Sequence, residues 1–134
     1  MAILKHISVK NRFYSSAVEY LTCQFDEYTN KPVLDEKGRI QERENYLIVG
    51  VNCDVDSFGA ECIEVNRLYG KNNSVKDVKA HHYIISFDPN DPITIEQALE
   101  FGKQWLSVFA PGHQAVVAVH PDGHNGSQNM HVHM

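Results

Sequence analysis

Four histidines fall within the last fifteen residues of the chain, HPDGHNGSQNMHVHM (120–134). His131 and His133 are two positions apart, so on a β-strand both side chains would point to the same face. The preceding stretch GHQAVVAVH (112–120) is rich in β-branched apolar residues and predicts a strand that ends at His120. The residues between them are mostly Gly, Pro, Asn, Asp and Ser, which predicts a turn that folds the chain back. The resulting hairpin would bring three imidazoles together on one sheet face.

Three neutral imidazoles arranged in this way can bind a transition metal ion and leave coordination positions open for water or substrate. The alternative is that some of these histidines are hydrogen-bonded surface groups or part of an expression tag. A tag is disfavoured, because the histidines are interleaved with a strand pattern and do not form a run. We therefore predict a metal site formed by His120, His131 and His133.

The turn between the two strands contains two further polar residues that bear on this site. Asp122 could orient a ligating histidine through its second ring nitrogen, which would make it part of the catalytic site. Its carboxylate could equally cap its own loop, and the sequence leaves both interpretations open. His124 is expected to lie in solvent.

Length and composition restrict the class of protein. The chain has 134 residues, which suits one domain with one core, and its three cysteines lack CxxC spacing, so no disulfide framework or zinc knuckle is indicated. Without a long apolar run or a secretory signal, we expect a cytoplasmic protein with no membrane segment. The formal net charge of −5 argues against a polyanionic partner. The acidic stretch DEKGRIQERE could account for this charge and leave the sheet face neutral or positive.

Strand and helix patterns alternate irregularly along the rest of the chain. Strands are predicted at 2–9, 46–53 and 78–87, helices at 15–25, 56–70 and 94–109, and a small exposed hairpin at 30–45. Capping boxes are expected at Ser16 with Glu19 and at Thr94 with Gln97, and Gly70 is expected to end the second helix. Since the final hairpin forces antiparallel pairing, the sequence predicts an α+β fold with helices packed on one antiparallel sheet.

The final strand is expected to be incomplete. NMHVHM (129–134) begins a strand that lacks a second apolar half. A domain seldom ends inside the element that carries its ligands. We therefore expect residues 1–134 to be the N-terminal part of a longer protein, and such a fragment could be inactive.

With these elements placed, the chain resembles the N-terminal part of a relaxase, a mobilisation nuclease of the HUH endonuclease superfamily. Such enzymes nick one DNA strand at an origin of transfer. The resemblance rests on His120 followed by HVH at 131–133, and on AVEYLT around Tyr20, which is similar to the family's tyrosine on an N-terminal helix. The strand HHYIISF and the VNC before the second helix are similar to the mobilisation-protein branch. Together these features span nearly the whole chain.

The resemblance implies a relaxase-like fold and a reaction. His120, His131 and His133 would bind a divalent ion, Mg, Mn or Zn, and Tyr20 would attack the scissile phosphate to form a 5′-phosphotyrosyl intermediate. The implied partner is single-stranded DNA at an origin of transfer, with accessory mobilisation proteins as further candidates. Every tyrosine precedes the histidine motif, which favours the relaxase over related replication initiators and transposases. The long loop before His131 departs from some branches, and Tyr14 competes with Tyr20 as nucleophile.

Other interpretations of these residues remain open at this level. A three-histidine hydrolase or a cupin-like metalloenzyme also uses an HxH strand pair but needs no tyrosine near the metal. A DNA-binding module without activity, including an inactive relaxase fragment, is the third candidate, and Tyr20 would then simply pack on the apolar face of its helix. His81 and His82 are adjacent on a predicted strand and point to opposite faces. At most one can lie at the site, with His82 as the candidate accessory group and an ordinary strand residue as the alternative.

Overall fold

The computed structural model describes residues 2–11, 13–26, 28–29, 31–43, 45–121 and 129–134. Within these ranges the elements follow one another as β1 (Ile3–Val9), α1 (Ser15–Thr22), β2 (Leu47–Val51), α2 (Phe58–Tyr69), β3 (Ala80–Ser86), α3 (Ile95–Phe109), β4 (Ala115–His120) and β5 (His131–His133). Every helix and strand predicted from the sequence is present, with ends that differ by a few residues. None of the helices in the described ranges combines the length and apolar character that a membrane crossing needs.

The five strands form one sheet in the order β1-β3-β5-β4-β2. All four neighbouring pairs are antiparallel, so the predicted α+β fold with one antiparallel sheet is confirmed. β5 is the last strand in the sequence but the central strand of the sheet. The strand that carries two of the candidate ligands is therefore enclosed by β3 on one side and β4 on the other.

Helices cover both faces of the sheet, and the apolar residues of β4 contribute to the core on each face. Val117 and Val119 pack in a core with α3, whereas Val116 and Ala118 pack in a second core with α1 and α2. Side chains that alternate along a strand point to opposite faces, so a strand buried on both sides is apolar throughout. His120 lies on the α1 side, because it is two positions along the strand from Ala118 and therefore points to the same face.

Local signals at two helix ends act as predicted. The side chain of Thr94 accepts a hydrogen bond from the backbone of Gln97, and the Gln97 side chain accepts one from the backbone of Thr94. This capping box satisfies two of the N–H groups at the start of α3 that have no partner within the helix. Gly70 follows α2 in the left-handed conformation, with a φ of 61°, and so ends that helix.

The predicted capping box of Ser16 with Glu19 is wrong. The N-cap position of α1 is Tyr14, whose side chain makes no capping hydrogen bond. The backbone N–H of Ser16 already donates to the carbonyl of Phe13 at 3.1 Å, so Ser16 lies inside the first turn and does not precede it. A capping residue needs an extended backbone before the helix, which Ser16 does not have.

The exposed hairpin predicted between residues 30 and 45 is present, and it also determines where α1 ends. Its turn is closed by the backbone N–H of Asp35, which donates to the carbonyl of Arg39 at 2.8 Å. Beyond Thr22 the chain leaves the helix to pair with this hairpin, and the N–H of Gln24 donates to the carbonyl of Gln41 at 2.9 Å. α1 therefore ends before residue 25, the predicted end.

Candidate metal centre

The three candidate ligands lie together on the α1 side of the sheet. In the pairing of β4 with β5, His120 is opposite His131 and Ala118 is opposite His133, so the predicted hairpin pairing is confirmed. The ring centroids of the three histidines are 4.6 to 5.2 Å apart. One ring nitrogen from each residue lies within 4.8 Å of the others. The strands thus hold three possible nitrogen ligands close enough to share one ion.

Burial favours the neutral form of His133. His120, His131 and His133 are 0%, 8% and 2% exposed. Burial, and then the neighbouring charges of His120 and His131, lower the pKa of His133 far below its ordinary value. Only a neutral imidazole has a lone pair to bind a metal ion, so the burial favours the ligating form.

Two backbone carbonyls determine which ring nitrogen carries the proton. Nε2 of His120 donates to the carbonyl of Leu21 at 2.8 Å, and Nδ1 of His131 donates to the carbonyl of Asn129 at 3.1 Å. A carbonyl oxygen only accepts hydrogen bonds, so the lone pairs of the neutral rings lie on Nδ1 of His120 and Nε2 of His131. Such contacts to the far nitrogen orient a histidine for metal binding.

His82 orients the third ring. Its Nε2 lies 2.9 Å from Nδ1 of His133, and the two ring centroids are 5.1 Å apart. Burial, and then the charge of Lys5, lower the pKa of His82, so this ring is also neutral and can accept. No described residue forms a hydrogen bond with Nε2 of His133, although this atom is buried. A buried polar atom without a partner is costly, and a bound ion would satisfy it.

The donor set fits a metal ion. Three imidazole nitrogens suit borderline transition metals, and three protein ligands leave further positions for a phosphate oxygen or water. Tautomers fixed by Leu21 and Asn129, together with the buried Nε2 of His133, are the arrangement that such a site requires. The cluster is therefore able to bind a divalent ion.

Tyr20 lies beside the cluster. It is on α1, half-buried, and its ring meets those of His133 and His82 edge-on at centroid distances of 6.2 and 6.4 Å. Its other ring neighbour is Phe25 at 5.3 Å. The hydrogen bond from His120 to the carbonyl of Leu21 ties this helix directly to the histidines. The phenol is thus held by a rigid element next to the candidate ligands.

Tyr14 is placed differently. It is 8% exposed, and its hydroxyl accepts a hydrogen bond from Nδ2 of Asn66 at 2.5 Å. Asn66 in turn accepts from Asn72 at 2.9 Å. These contacts join α1 to α2 and give Tyr14 a structural role in the described part of the molecule.

His81 and His82 lie on opposite faces of the sheet. His81 points to the face opposite His82, where its ring lies 2.9 Å from His6 and stacks with Tyr83. The expectation that only one of the pair reaches the site is confirmed. Asp122 and His124 lie outside the described residues.

Two basic residues place positive charge near the cluster, on a sheet face that the sequence allowed to be neutral or positive. After burial and the histidines themselves, Arg43 lowers the pKa of His133, and Lys5 is the charge that acts on His82. Lys5 belongs to β1 and Arg43 to the exposed hairpin, so no local motif connected them with the histidines. Their presence offsets the acidic net charge at the place where an anionic ligand would bind.

Comparisons with known proteins agree with this geometry. A family model described as the nuclease domain of MobA/VirD2-like relaxases matches residues 28–134, a range that contains the three histidines and begins after Tyr20. Two curated proteins, both called Protein rlx and both from Staphylococcus aureus, are each 37% identical to the chain over 73 residues. The aligned stretch is 54% of this chain and 22% of each relative, so the chain spans less than a quarter of their length. No solved structure matches the chain significantly.

Proposed function

Because the chain belongs to the MobA/VirD2-like relaxase nuclease family, we propose that it nicks and rejoins one DNA strand at an origin of transfer. Residues 1–134 would contribute the N-terminal part of the catalytic domain. The observation that carries the proposal is the position of Tyr20, whose ring is 6.2 Å from that of His133 beside three histidines that can share an ion. A nucleophile and a metal-binding group are the two components that this reaction requires.

The covalent step begins with attack of the Tyr20 phenol oxygen on the scissile phosphorus. The bond from oxygen to phosphorus forms as the bond to the 3′ oxygen breaks. The phenol proton passes to water and the leaving oxygen takes up a proton, which gives a free 3′ hydroxyl and a 5′-phosphotyrosyl link. A 3′ hydroxyl can later reverse the step. α1 contributes by orientation, which is worth roughly 7 to 11 kcal/mol in well-placed intramolecular reactions.

The histidines would hold the divalent ion, Mn, Zn or Mg, through Nδ1 of His120 and Nε2 of His131 and His133. When bound, such an ion polarises the phosphate and stabilises the negative charge that develops on its oxygens. Lys5 and Arg43 add fixed positive charge for the DNA backbone. The carbonyls of Leu21 and Asn129 keep two of the rings oriented.

The three-histidine hydrolase and cupin-like alternatives are less well supported. A hydrolase that uses a metal-activated water needs no tyrosine near its ligands, whereas Tyr20 is held there by α1 and by the bond from His120 to Leu21. A DNA-binding module without activity would have the same fold and would differ only in that it does not cleave DNA. A cleavage assay therefore distinguishes it from the relaxase.

A single-stranded oligonucleotide from the origin of transfer tests the function. With the full-length protein and Mn²⁺, we expect cleavage of the single strand, no cleavage of the matching duplex, and no cleavage after addition of EDTA. Fluorescence anisotropy should give tighter binding of the single strand, weakened at least about tenfold between 50 and 200 mM salt, because Lys and Arg release counterions from phosphates. Equal, salt-insensitive binding of both forms without cleavage would contradict the proposal.

His82 is proposed as a positioning residue that acts through His133. If Nδ1 of His133 donates to Nε2 of His82, replacing His82 with Leu removes the acceptor, and metal affinity should fall roughly 10- to 100-fold. His82→Gln supplies an amide oxygen as acceptor and should retain much of the affinity. Isothermal titration of both variants with Mn²⁺ or Zn²⁺ measures the difference without DNA. Wild-type affinity in His82→Leu would refute this role.

Three expectations extend to the whole protein. We propose that Asp122 orients one of the ligating histidines. We also propose that accessory mobilisation proteins join the relaxase on DNA, and that the relaxase acts in the cytoplasm. Each stays a prediction.

A further inference from the structure

Arg43 is held beside the end of the helix that carries Tyr20. Its backbone N–H donates to the carbonyl of Thr22, the last residue of α1, at 2.9 Å. Directly before it, Glu42 pairs with Cys23 in an antiparallel bridge. These contacts join one end of the exposed hairpin to α1. The backbone therefore determines where Arg43 lies relative to Tyr20, although the two residues are distant in the sequence.

The guanidinium of Arg43 differs from those of the other arginines in the described ranges. Nε of Arg39 donates to Asp35 at 3.0 Å. Nε of Arg67 donates to Glu64 at 2.9 Å. Nε of Arg43, by contrast, is buried and has no hydrogen-bond partner among the described residues. A buried donor on a charged group is costly to leave without a partner, so an anion that reached this side chain would be bound favourably.

The charge of this guanidinium acts on the histidine cluster. After burial and the charges of the other histidines, Arg43 lowers the pKa of His133. A charge has to be close to a group to shift its pKa in this way. The ring of Tyr20 lies 6.2 Å from that of His133. The candidate nucleophile, the candidate ligands and an unpaired guanidinium thus lie in one region on the α1 side of the sheet.

The chemistry of the side chain restricts what its partner can be. A guanidinium is always positively charged, and its planar N–H donors match the oxygens of a carboxylate or a phosphate. The ion pairs between described residues do not include Arg43, so none of the carboxylates in these ranges is its partner. A DNA substrate supplies phosphates, and the phosphate that Tyr20 attacks has to come to this region.

We propose that Arg43 binds a non-bridging oxygen of the phosphate that Tyr20 attacks. The inference rests on the proposed nicking function, and it gives Arg43 a more specific role than general attraction of the DNA backbone. The guanidinium stays protonated and exchanges no atom with the DNA. Its N–H groups would donate to the oxygen on which negative charge develops during the attack, and so stabilise the transition state.

Binding without metal tests the contact directly. The full-length protein in EDTA is titrated with two labelled single strands from the origin of transfer. One strand has the normal phosphate at the nick, and the other has a neutral methylphosphonate there. The wild type should bind the methylphosphonate at least about fivefold more weakly, because a hydrogen bond between charged groups is lost. Arg43→Gln should bind the two strands within about twofold of each other.

Each protein is compared with itself in this measurement, so a general loss of stability or of DNA affinity cancels. Arg39→Gln is the matched control, because it makes the same chemical change in the same hairpin on a side chain that is paired with Asp35. It should prefer the normal phosphate as strongly as the wild type does.

The rate of the reaction provides a second measurement. With Mn²⁺ and saturating normal strand, Arg43→Gln should form the covalent adduct at least about 100-fold more slowly than the wild type. Free guanidinium ion should restore part of the rate in Arg43→Ala, because it can occupy the space that the side chain leaves. A residue that only supported the fold would not be replaced by a free ion.

Three outcomes would overturn the inference. If the wild type cleaves and Arg43→Gln keeps the full preference for the normal phosphate, Arg43 does not contact this phosphate, and the nicking function still stands. If Arg39→Gln loses the preference as well, the effect belongs to the total charge of the hairpin. If the wild type cleaves no strand, the nicking function itself is contradicted, and this inference with it.

Discussion

Tyr20→Phe is expected to abolish the covalent protein–DNA adduct and to leave single-strand binding nearly unchanged. The substitution removes one oxygen, while the ring keeps its contacts with Phe25 at 5.3 Å and His133 at 6.2 Å. Loss of a positioned nucleophile should lower the rate of adduct formation at least about 10⁴-fold. The adduct is measured as a shifted band on a denaturing gel with the full-length protein, Mn²⁺ and a labelled oligonucleotide.

Tyr14→Phe is the matched control. It removes a hydroxyl of the same kind six residues earlier in the sequence. That hydroxyl accepts a hydrogen bond from Asn66, and we assign it no part in the reaction. We expect adduct formation to persist and the free energy of unfolding to fall by about 1 kcal/mol. An adduct that peptide mapping locates on Tyr14 would show that Tyr14, and not Tyr20, is the nucleophile. Metal-dependent cleavage without any adduct would favour attack by water.

The histidine hairpin could be predicted because short-range signals determine it. The spacing of His131 and His133 assigns both to one face of any strand, and the apolar run before His120 together with the turn composition gives the hairpin. The α+β class follows from the same local patterns. Each of these signals operates within about ten residues and does not depend on the rest of the fold.

Features that depend on distant pairing could not be predicted. β3 lies beside β5 only because of the sheet order. The sequence offered His82 as a candidate accessory group, but only this register shows that its partner is Nδ1 of His133. The end of α1 depends on the bond between Gln24 and Gln41, and a sequence pattern does not reveal such a partner. Arg43 is close to the site because the hairpin packs there. Patterns within a short stretch of sequence therefore do not reveal contacts between residues that are distant in the chain.

His133→Gln is expected to cause the largest loss of metal binding. It removes the ligand whose buried Nε2 has no hydrogen-bond partner among the described residues and which is oriented by His82. With two of three imidazoles left, the dissociation constant for Mn²⁺ or Zn²⁺ should rise at least about 100-fold. His81→Gln is the control, because it makes the same chemical change on the opposite face of the adjacent strand.

Thermal unfolding with and without metal separates the loss of binding from a loss of structure. Ion at 100 times its dissociation constant stabilises a folded protein by about 2.7 kcal/mol, so the wild type and His81→Gln should melt several degrees higher with metal. His133→Gln should gain nothing when metal is added. Without metal it should melt somewhat below the wild type, because the hydrogen bond between Nδ1 of His133 and Nε2 of His82 is lost, whereas the buried Nε2 of His133 has no partner to lose among the described residues. A metal-induced rise in His133→Gln equal to that of the wild type would place the ion elsewhere, with the cysteines as the next ligands to test.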